Sequence, residues 1–123
     1  MELEYDIIGD IHGQADKLER LLTSLGYRDR QGAYRATDRQ AIFVGDLIDR
    51  GPDQLRAVSI VRRMVEAGTG LAVMGNHEFN AIAWHTPDPD SAGAYLRTRA
   101  GDLGQKNRAQ HSAFLEAAEH LPE

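Results

Sequence analysis

The sequence contains no cysteine, which excludes a disulfide framework and thiolate metal sites. It also has no run of about 18 apolar residues, so we expect no transmembrane helix. The N-terminal segment, residues 1–6, is acidic, whereas a signal peptide begins with basic residues and continues with an apolar stretch. These absences predict a protein of the reducing cytoplasm that does not associate with a membrane.

Basic residues are also relatively few, with 14 Lys and Arg against 19 Asp and Glu and a formal net charge of −5. This balance argues against a nucleic-acid scaffold, because such proteins are usually basic. It would suit a protein that gathers carboxylates around cations, although many cytoplasmic proteins are equally acidic without binding a metal. The length of 123 residues leaves room for one domain.

Short apolar runs alternate with helical stretches, which predicts an α/β fold built from parallel βαβ units. Buried strands that end at a glycine are predicted at residues 5–8, 41–44 and 71–74. Helices are predicted at 14–25, from Pro52 to about 68, at about 77–84 and at about 107–120. Residues 27–39 are polar and are predicted to form a loop or an irregular hairpin.

Two of the predicted helices carry apolar residues at helical spacing, which indicates the faces that they bury. In the first helix these residues are Leu18, Leu21, Leu22 and Leu25. In the second helix they are Leu55, Val58, Val61 and Val65.

A glycine and then a residue that can bind a metal follow each predicted strand. These residues are Asp10, Asp46 and Asn76. Because ligands bind beyond the carboxyl ends of parallel strands, we expect the three side chains to meet at one edge of the sheet. Asp10 and His12 are two residues apart, so a turn can aim both at one ion. The Asp46 carboxylate can bridge two ions about 3.5–4 Å apart, and Asn76 offers a neutral amide oxygen.

A carboxylate and an imidazole together favour manganese, iron or zinc over calcium. We therefore expect two divalent ions, manganese first, with iron, zinc, nickel and cobalt as alternatives.

Residues beside these ligands suit acid catalysis and phosphate binding. His77 follows Asn76 but faces a different way, as a general acid would. Asp49 could accept a hydrogen bond from the other ring nitrogen of His77 and fix its tautomer. Arg50 carries a planar guanidinium that matches two phosphate oxygens, and we expect Arg50 and Asn76 to contact the substrate phosphate.

Three sequence blocks, residues 9–13, 45–51 and 75–78, resemble the signature blocks of calcineurin-like metallophosphoesterases, in the phosphoprotein-phosphatase branch. The stretches 79–85 and 107–111 are similar to bacterial members described as diadenosine-tetraphosphatase-like. The resemblance implies a β-sandwich of two sheets flanked by helices, with the site at the carboxyl ends of the strands.

The resemblance also implies a role for each site residue. Asp10, His12 and Asp46 would hold the first metal, and Asp46 with Asn76 would hold the second. His77 with Asp49 would be the acid pair, and Arg50 the phosphate clamp.

This sequence departs from the family because the family completes its second metal site with two histidines that come later in the chain. We therefore expect a single domain, 1–123, that is the N-terminal half of the sandwich, with an incomplete second metal site. His85, His111 and His120 are interpreted as solvated or capping residues, since 111 and 120 lie on different faces of one helix. An open sheet face would need a covering partner, either a second copy of the chain or the missing C-terminal half.

The expected function is hydrolysis of a phosphate ester or anhydride by water that two metals activate. Candidate substrates are phosphoproteins, dinucleoside polyphosphates and small phosphomonoesters. The alternative is a metal-binding but catalytically inactive module with an interaction or regulatory role.

Overall fold

A computed structural model describes residues 3–118, and this part of the chain contains five strands and four helices. The strands are β1 (Glu4–Ile8), β2 (Arg28–Arg30), β3 (Ala33–Arg35), β4 (Arg39–Phe43) and β5 (Gly70–Ala72). The helices are α1 (Ala15–Ser24), α2 (Gln54–Glu66), α3 (Asn76–His85) and α4 (Gly101–Ala118). The α/β class is confirmed, and the three predicted strands are displaced by two residues or fewer. Helix α4 begins six residues before its predicted start, and its predicted end lies outside the described residues.

The main sheet has the strand order β1–β4–β5, and both pairings are parallel. Ile7 of β1 lies beside Ile42 of β4, which in turn lies beside Leu71 of β5. Strands β2 and β3 form a separate antiparallel hairpin, as one of the two interpretations of 27–39 predicted. All three parallel strands therefore end at the same edge, which positions the loops that follow them side by side.

The hydrophobic core forms where α1 and α2 pack on one face of this sheet. Leu18 and Leu22 of α1 and Met64 of α2 join Phe43 of β4 in one buried cluster. Full burial of a side chain such as Leu22 or Phe43 contributes about 1.5–3 kcal/mol. Among the described residues, none of the helices has the length and apolar character needed to cross a membrane.

The predicted inner faces of the first two helices are only partly right. In α2 the buried residues are Gln54, Ala57, Ile60, Val61 and Met64. Val65 is exposed, and Leu55 and Val58 are half-buried. Apolar residues cover more than one face of α2, so spacing alone could not show that the small side chain of Ala57 is buried in the core. In α1, Leu18 and Leu22 are buried but Leu21 is exposed.

The opposite face of the sheet is apolar and open in the described part of the chain. Ile7 is 73% exposed and Leu71 is 50% exposed, and both belong to the row that crosses all three strands. Tyr5 and Val73 are also exposed. The uncovered sheet face expected from the sequence is therefore present.

A partly buried ion pair ties β1 to β4. The Asp6 carboxylate accepts hydrogen bonds from Arg39 Nε and from the Tyr27 hydroxyl, each at 2.8 Å. The side chain of Asp6 is 9% exposed. The hydrogen bond from Arg39 holds the pKa of Asp6 below its ordinary value of 3.8.

Because the pKa of Asp6 is depressed by folding, its ionised form stabilises the fold above pH 3.8, and this contribution is lost as the pH falls through the folded-state pKa. Asp6→Asn should therefore lower the free energy of unfolding by about 1–3 kcal/mol at pH 7. The deficit should shrink towards pH 3, as measured by urea denaturation at both pH values. Glu4→Gln is the matched control, because Glu4 also pairs with Arg39 but is 71% exposed. An equal deficit at both pH values would contradict the electrostatic account.

Candidate active site

The candidate site lies at the carboxyl edge of the parallel sheet. Asp10, Asp46 and Asn76 follow the ends of β1, β4 and β5 by two to four residues. Asp10, His12 and Asp46 each offer one ligand atom, and these three atoms lie within 4.8 Å of one another. Two ligands of one ion lie at most about 4.4 Å apart when each bond is 2.0–2.2 Å long. The set therefore fits a single ion with only small movements of its side chains.

The orientation of His12 suits a metal ligand. Its Nδ1 lies 2.9 Å from the carbonyl oxygen of Ile48, to which it can donate a hydrogen bond. This leaves Nε2 free on the side of Asp10, 3.6 Å from Oδ2. Metal-ligating histidines usually donate their other ring N–H in this way, which fixes the tautomer.

Asn76 lies against the carboxylate of Asp46. The atom of its side-chain amide that faces Asp46 lies 2.9 and 3.1 Å from the two carboxylate oxygens. If that atom is nitrogen, it donates a hydrogen bond to the carboxylate. If it is oxygen, the two groups repel each other unless a cation lies between them. Asn76 and Asp46 are therefore close enough to share an ion, and the second metal site stays a prediction.

The backbone at the site is held in an unfavourable conformation. Positive φ angles occur at His12 (45°), Asp46 (54°), Asp49 (69°) and Arg50 (74°). In the described chain, the other such non-glycine residue is Gln31 in the β2–β3 turn. This conformation costs of order 1–3 kcal/mol per residue and is concentrated at functional sites in many proteins. Four predicted site residues thus carry strain that their sequence pattern does not reveal.

Two glycines let the loops after β4 and β5 touch. A Cβ atom on Gly45 would collide with the backbone of Gly75, and one on Gly75 would collide with the Asp46 carboxylate. The sequence interpretation assigned these glycines, together with Gly9, to sharp turns. Only Gly45 of the three has a positive φ, at 93°, and neither φ nor space requires glycine at position 9. The close approach of the two loops is what brings Asn76 to Asp46.

His77 and Asp49 form the pair that the sequence predicted. His77 Nδ1 lies 2.9 Å from Asp49 Oδ2, and both side chains are buried. The ring of His77 packs edge to face on the ring of His12, with 4.6 Å between centroids. The backbone N–H of His77 donates to Asp46 Oδ1 at 3.0 Å. The pair therefore adjoins the metal-competent cluster, and Arg50 is exposed at the end of the same loop.

Glu78 has a structural role that the sequence interpretation missed. Its carboxylate accepts hydrogen bonds from the backbone N–H groups of Gly75 at 3.1 Å and Leu47 at 2.9 Å. It also accepts one from the N–H of Asp46. Glu78 thus fastens the loop that carries Asp46 to the N-terminus of α3. Its position three residues into that helix was the available signal, because glutamate there often accepts a hydrogen bond from the residue before the helix.

The interpretation of His111 as a solvated or capping residue is wrong. His111 is completely buried, and its Nδ1 lies 3.1 Å from Asp49 Oδ1. Only the packing of α4 against the rest of the fold buries this side of the helix, so its polar residues looked solvent-facing in the sequence. The available signal was the helical spacing of Gly104, Asn107 and His111, which form one buried stripe. His85 is exposed, as expected, and His120 lies outside the described residues.

Comparisons with known proteins find relatives of this chain. Bis(5'-nucleosyl)-tetraphosphatase PrpE (asymmetrical) of Oceanobacillus iheyensis is 42% identical over 76 residues, which cover 61% of this chain and 30% of that protein. The protein of the same name from Bacillus subtilis is 31% identical over 115 residues, which cover 93% of this chain and 47% of that protein. A solved structure provisionally described as a diadenosine tetraphosphatase aligns with 97% of this chain and 38% of its own, at 24% identity and a TM-score of 0.49.

The chain spans less than half the length of the two PrpE relatives, 30% and 47% respectively. The model of the calcineurin-like phosphoesterase family matches residues 4–119, nearly the whole chain. This chain belongs to the calcineurin-like phosphoesterase family.

Proposed function

We propose that the protein containing this chain is a metal-dependent phosphoesterase that hydrolyses phosphate anhydrides of the dinucleoside polyphosphate type. The observation that carries the proposal is the convergence of Asp10, His12 and Asp46 beside the buried His77–Asp49 pair. The substrate class is supported by the names of the relatives, which are bis(5'-nucleosyl)-tetraphosphatases. Phosphoproteins and small phosphomonoesters are the other substrate classes that this chemistry admits.

In this proposal, Asp10, His12 and Asp46 hold one divalent ion, while Asp46 and Asn76 contribute to a second. The mixture of carboxylate, imidazole and amide suits manganese first, with iron, zinc, nickel and cobalt as alternatives. When bound, such ions lower the pKa of a water molecule enough for it to attack phosphorus at neutral pH. The carboxylates of Asp10 and Asp46 carry a formal charge of −2, and the charge of two divalent ions exceeds it. A filled site is therefore cationic and attracts an anionic substrate.

The acid pair supplies a proton to the leaving oxygen. Asp49 accepts a hydrogen bond from the Nδ1–H of His77. Nε2 of His77 then carries the proton that the leaving group needs and releases it. Arg50 and Asn76 are both exposed, and in this proposal they contact phosphate oxygens. The chain has no cysteine, and the proposed reaction needs no covalent nucleophile.

The second candidate function is a metal-binding module without turnover. In the described part of the chain, the proposed second ion has only Asp46 and Asn76 as ligands, which favours this alternative. The open apolar sheet face would be covered by a second copy of the chain or by the remainder of a longer protein. The cytoplasmic location expected from the sequence stays a prediction.

A substrate panel separates the two functions. The complete gene product, loaded with Mn²⁺, should hydrolyse diadenosine tetraphosphate, and removal of the metal by chelation should stop the reaction. Asp10→Ala should lose the activity, whereas His85→Ala, which changes an exposed histidine, should keep it. If the Mn²⁺-loaded protein hydrolyses neither diadenosine tetraphosphate, phosphopeptides nor aryl phosphates, the inactive-module function is correct.

A further inference from the structure

Asp49 contacts two imidazoles. Its carboxylate is fully buried, with His77 Nδ1 2.9 Å from Oδ2. His111 Nδ1 lies 3.1 Å from Oδ1 and 3.0 Å from Oδ2. The two histidines come from different helices, α3 and α4. Asp49 is therefore the point at which α4 joins the acid pair.

Helix α4 makes a second contact with the pair through the neighbour of His111. Gln110 Nε2 lies 3.2 Å from His77 Nδ1, and this approach is a packing contact and not a hydrogen bond when the Nδ1 proton points to Asp49. The side-chain oxygen of Gln110 accepts a hydrogen bond from Arg97 at 3.1 Å, which holds the amide in place. Two consecutive residues of one helix thus reach both members of the pair.

The surroundings of His111 indicate which of its ring nitrogens carries the proton. A fully buried carboxylate needs hydrogen-bond donors, and Nδ1 of His111 is positioned to be one. Nε2 of His111 is buried, with no hydrogen-bond partner among the described residues. A proton on that atom would be an unpaired buried donor, which costs about 1–3 kcal/mol. These contacts favour the tautomer of His111 that carries its proton on Nδ1, directed at Asp49.

We propose that His111 is a positioning residue that orients the Asp49 carboxylate towards His77. The inference rests on the proposed function, in which His77 is the general acid. Without the donor on His111, the buried Asp49 carboxylate rotates to find another donor. That rotation removes the acceptor that keeps the Nδ1 proton of His77 in place, so Nε2 is no longer held ready for the leaving group.

The kinetic test compares two replacements of His111 in the complete, Mn²⁺-loaded protein. His111→Leu should lower kcat by about 10–100-fold, the usual cost of losing the partner of a site residue. KM and Mn²⁺ affinity should not change, because the contact of His111 runs through Asp49. His111→Asn should restore most of kcat, since the amide nitrogen of asparagine occupies the position of Nδ1.

Asn107→Leu is the matched control. Asn107 is 4% exposed, lies one turn away on α4 and donates its hydrogen bond to the Thr98 carbonyl. Its loss should disturb the packing of α4 without lowering kcat. An equal fall in kcat for Asn107→Leu and His111→Leu would show that His111 is merely structural and would overturn the proposal.

Two further measurements keep the inference separate from the proposed function. In a His77→Asn background, His111→Leu should cause no additional fall in kcat, because its effect passes through His77. A full additional fall would overturn the inference. In the metal-free protein, proton NMR should show a downfield Nδ1–H signal of His77 that is lost in His111→Leu and regained in His111→Asn. If the wild-type protein hydrolyses nothing, the proposed function fails, and the NMR comparison alone decides the role of His111.

Discussion

Replacing Asp46 by asparagine is expected to abolish turnover of every phosphate substrate and to weaken metal binding. Asp46 belongs to the three-residue cluster and also lies against Asn76, so both proposed ions depend on its charge. The replacement keeps the shape of the side chain and an oxygen that can accept the hydrogen bond from the His77 N–H. The fold should therefore survive while the site loses one negative charge and its bridging carboxylate.

The measurements for Asp46→Asn are Mn²⁺ titration calorimetry, circular dichroism and turnover. Asp16→Asn is the control, because its carboxylate is 81% exposed on α1 and lies outside the cluster. That variant should keep both metal affinity and turnover, since exposed ion pairs contribute little. Unchanged Mn²⁺ affinity in a folded Asp46→Asn protein would contradict the proposed ligand set.

The second large effect is expected from His77→Asn. The amide nitrogen of asparagine replaces Nδ1 as the donor to Asp49, so the buried pair stays connected, but the nitrogen at the position of Nε2 is lost. Turnover should fall by roughly 10²–10⁴-fold, the range for loss of a general acid. The loss should be largest for alkyl phosphates, whose leaving oxygen needs a proton. It should be smaller for p-nitrophenyl phosphate, whose leaving group departs without one.

The metal content of the His77→Asn protein shows whether His77 acts as a general acid or as a metal ligand. The His77→Asn protein should bind as much Mn²⁺ as the wild type, as measured by elemental analysis of dialysed samples. His85→Asn, at an exposed position, serves as the control for the same chemical change. An equal loss on every substrate together with loss of metal would mean that His77 is itself a ligand.

The parts of the fold that were predictable depend on local patterns. A buried strand followed by glycine and a polar residue is a short-range signal, and the three such segments were correctly placed at one edge of a parallel sheet. The pairing of His77 with Asp49 also followed from position, because His77 is one residue after Asn76 and Asp49 is three residues after Asp46, on neighbouring loops. The burial of Ala57 in the core was not predictable, since α2 has apolar residues on more than one face.

The parts that were missed depend on long-range contacts. His111 is 62 residues from Asp49 in sequence, and only the docking of α4 brings them together. Glu78 reaches a loop about 30 residues earlier, where its partners are backbone N–H groups that any sequence offers. The positive φ angles at Asp46 and Asp49 arise from the packing of the loops, so residue type could not reveal them.

Anomalous diffraction from crystals of this chain grown with Mn²⁺ tests the central claim most directly. The proposed site predicts a manganese peak enclosed by carboxylate oxygens of Asp10 and Asp46 and by Nε2 of His12, with each bond about 2.0–2.6 Å long. His77 should stay bonded to Asp49 and outside the coordination shell of the ion. A fully occupied manganese elsewhere, with these three side chains unliganded, would contradict the assignment of this cluster as the metal centre.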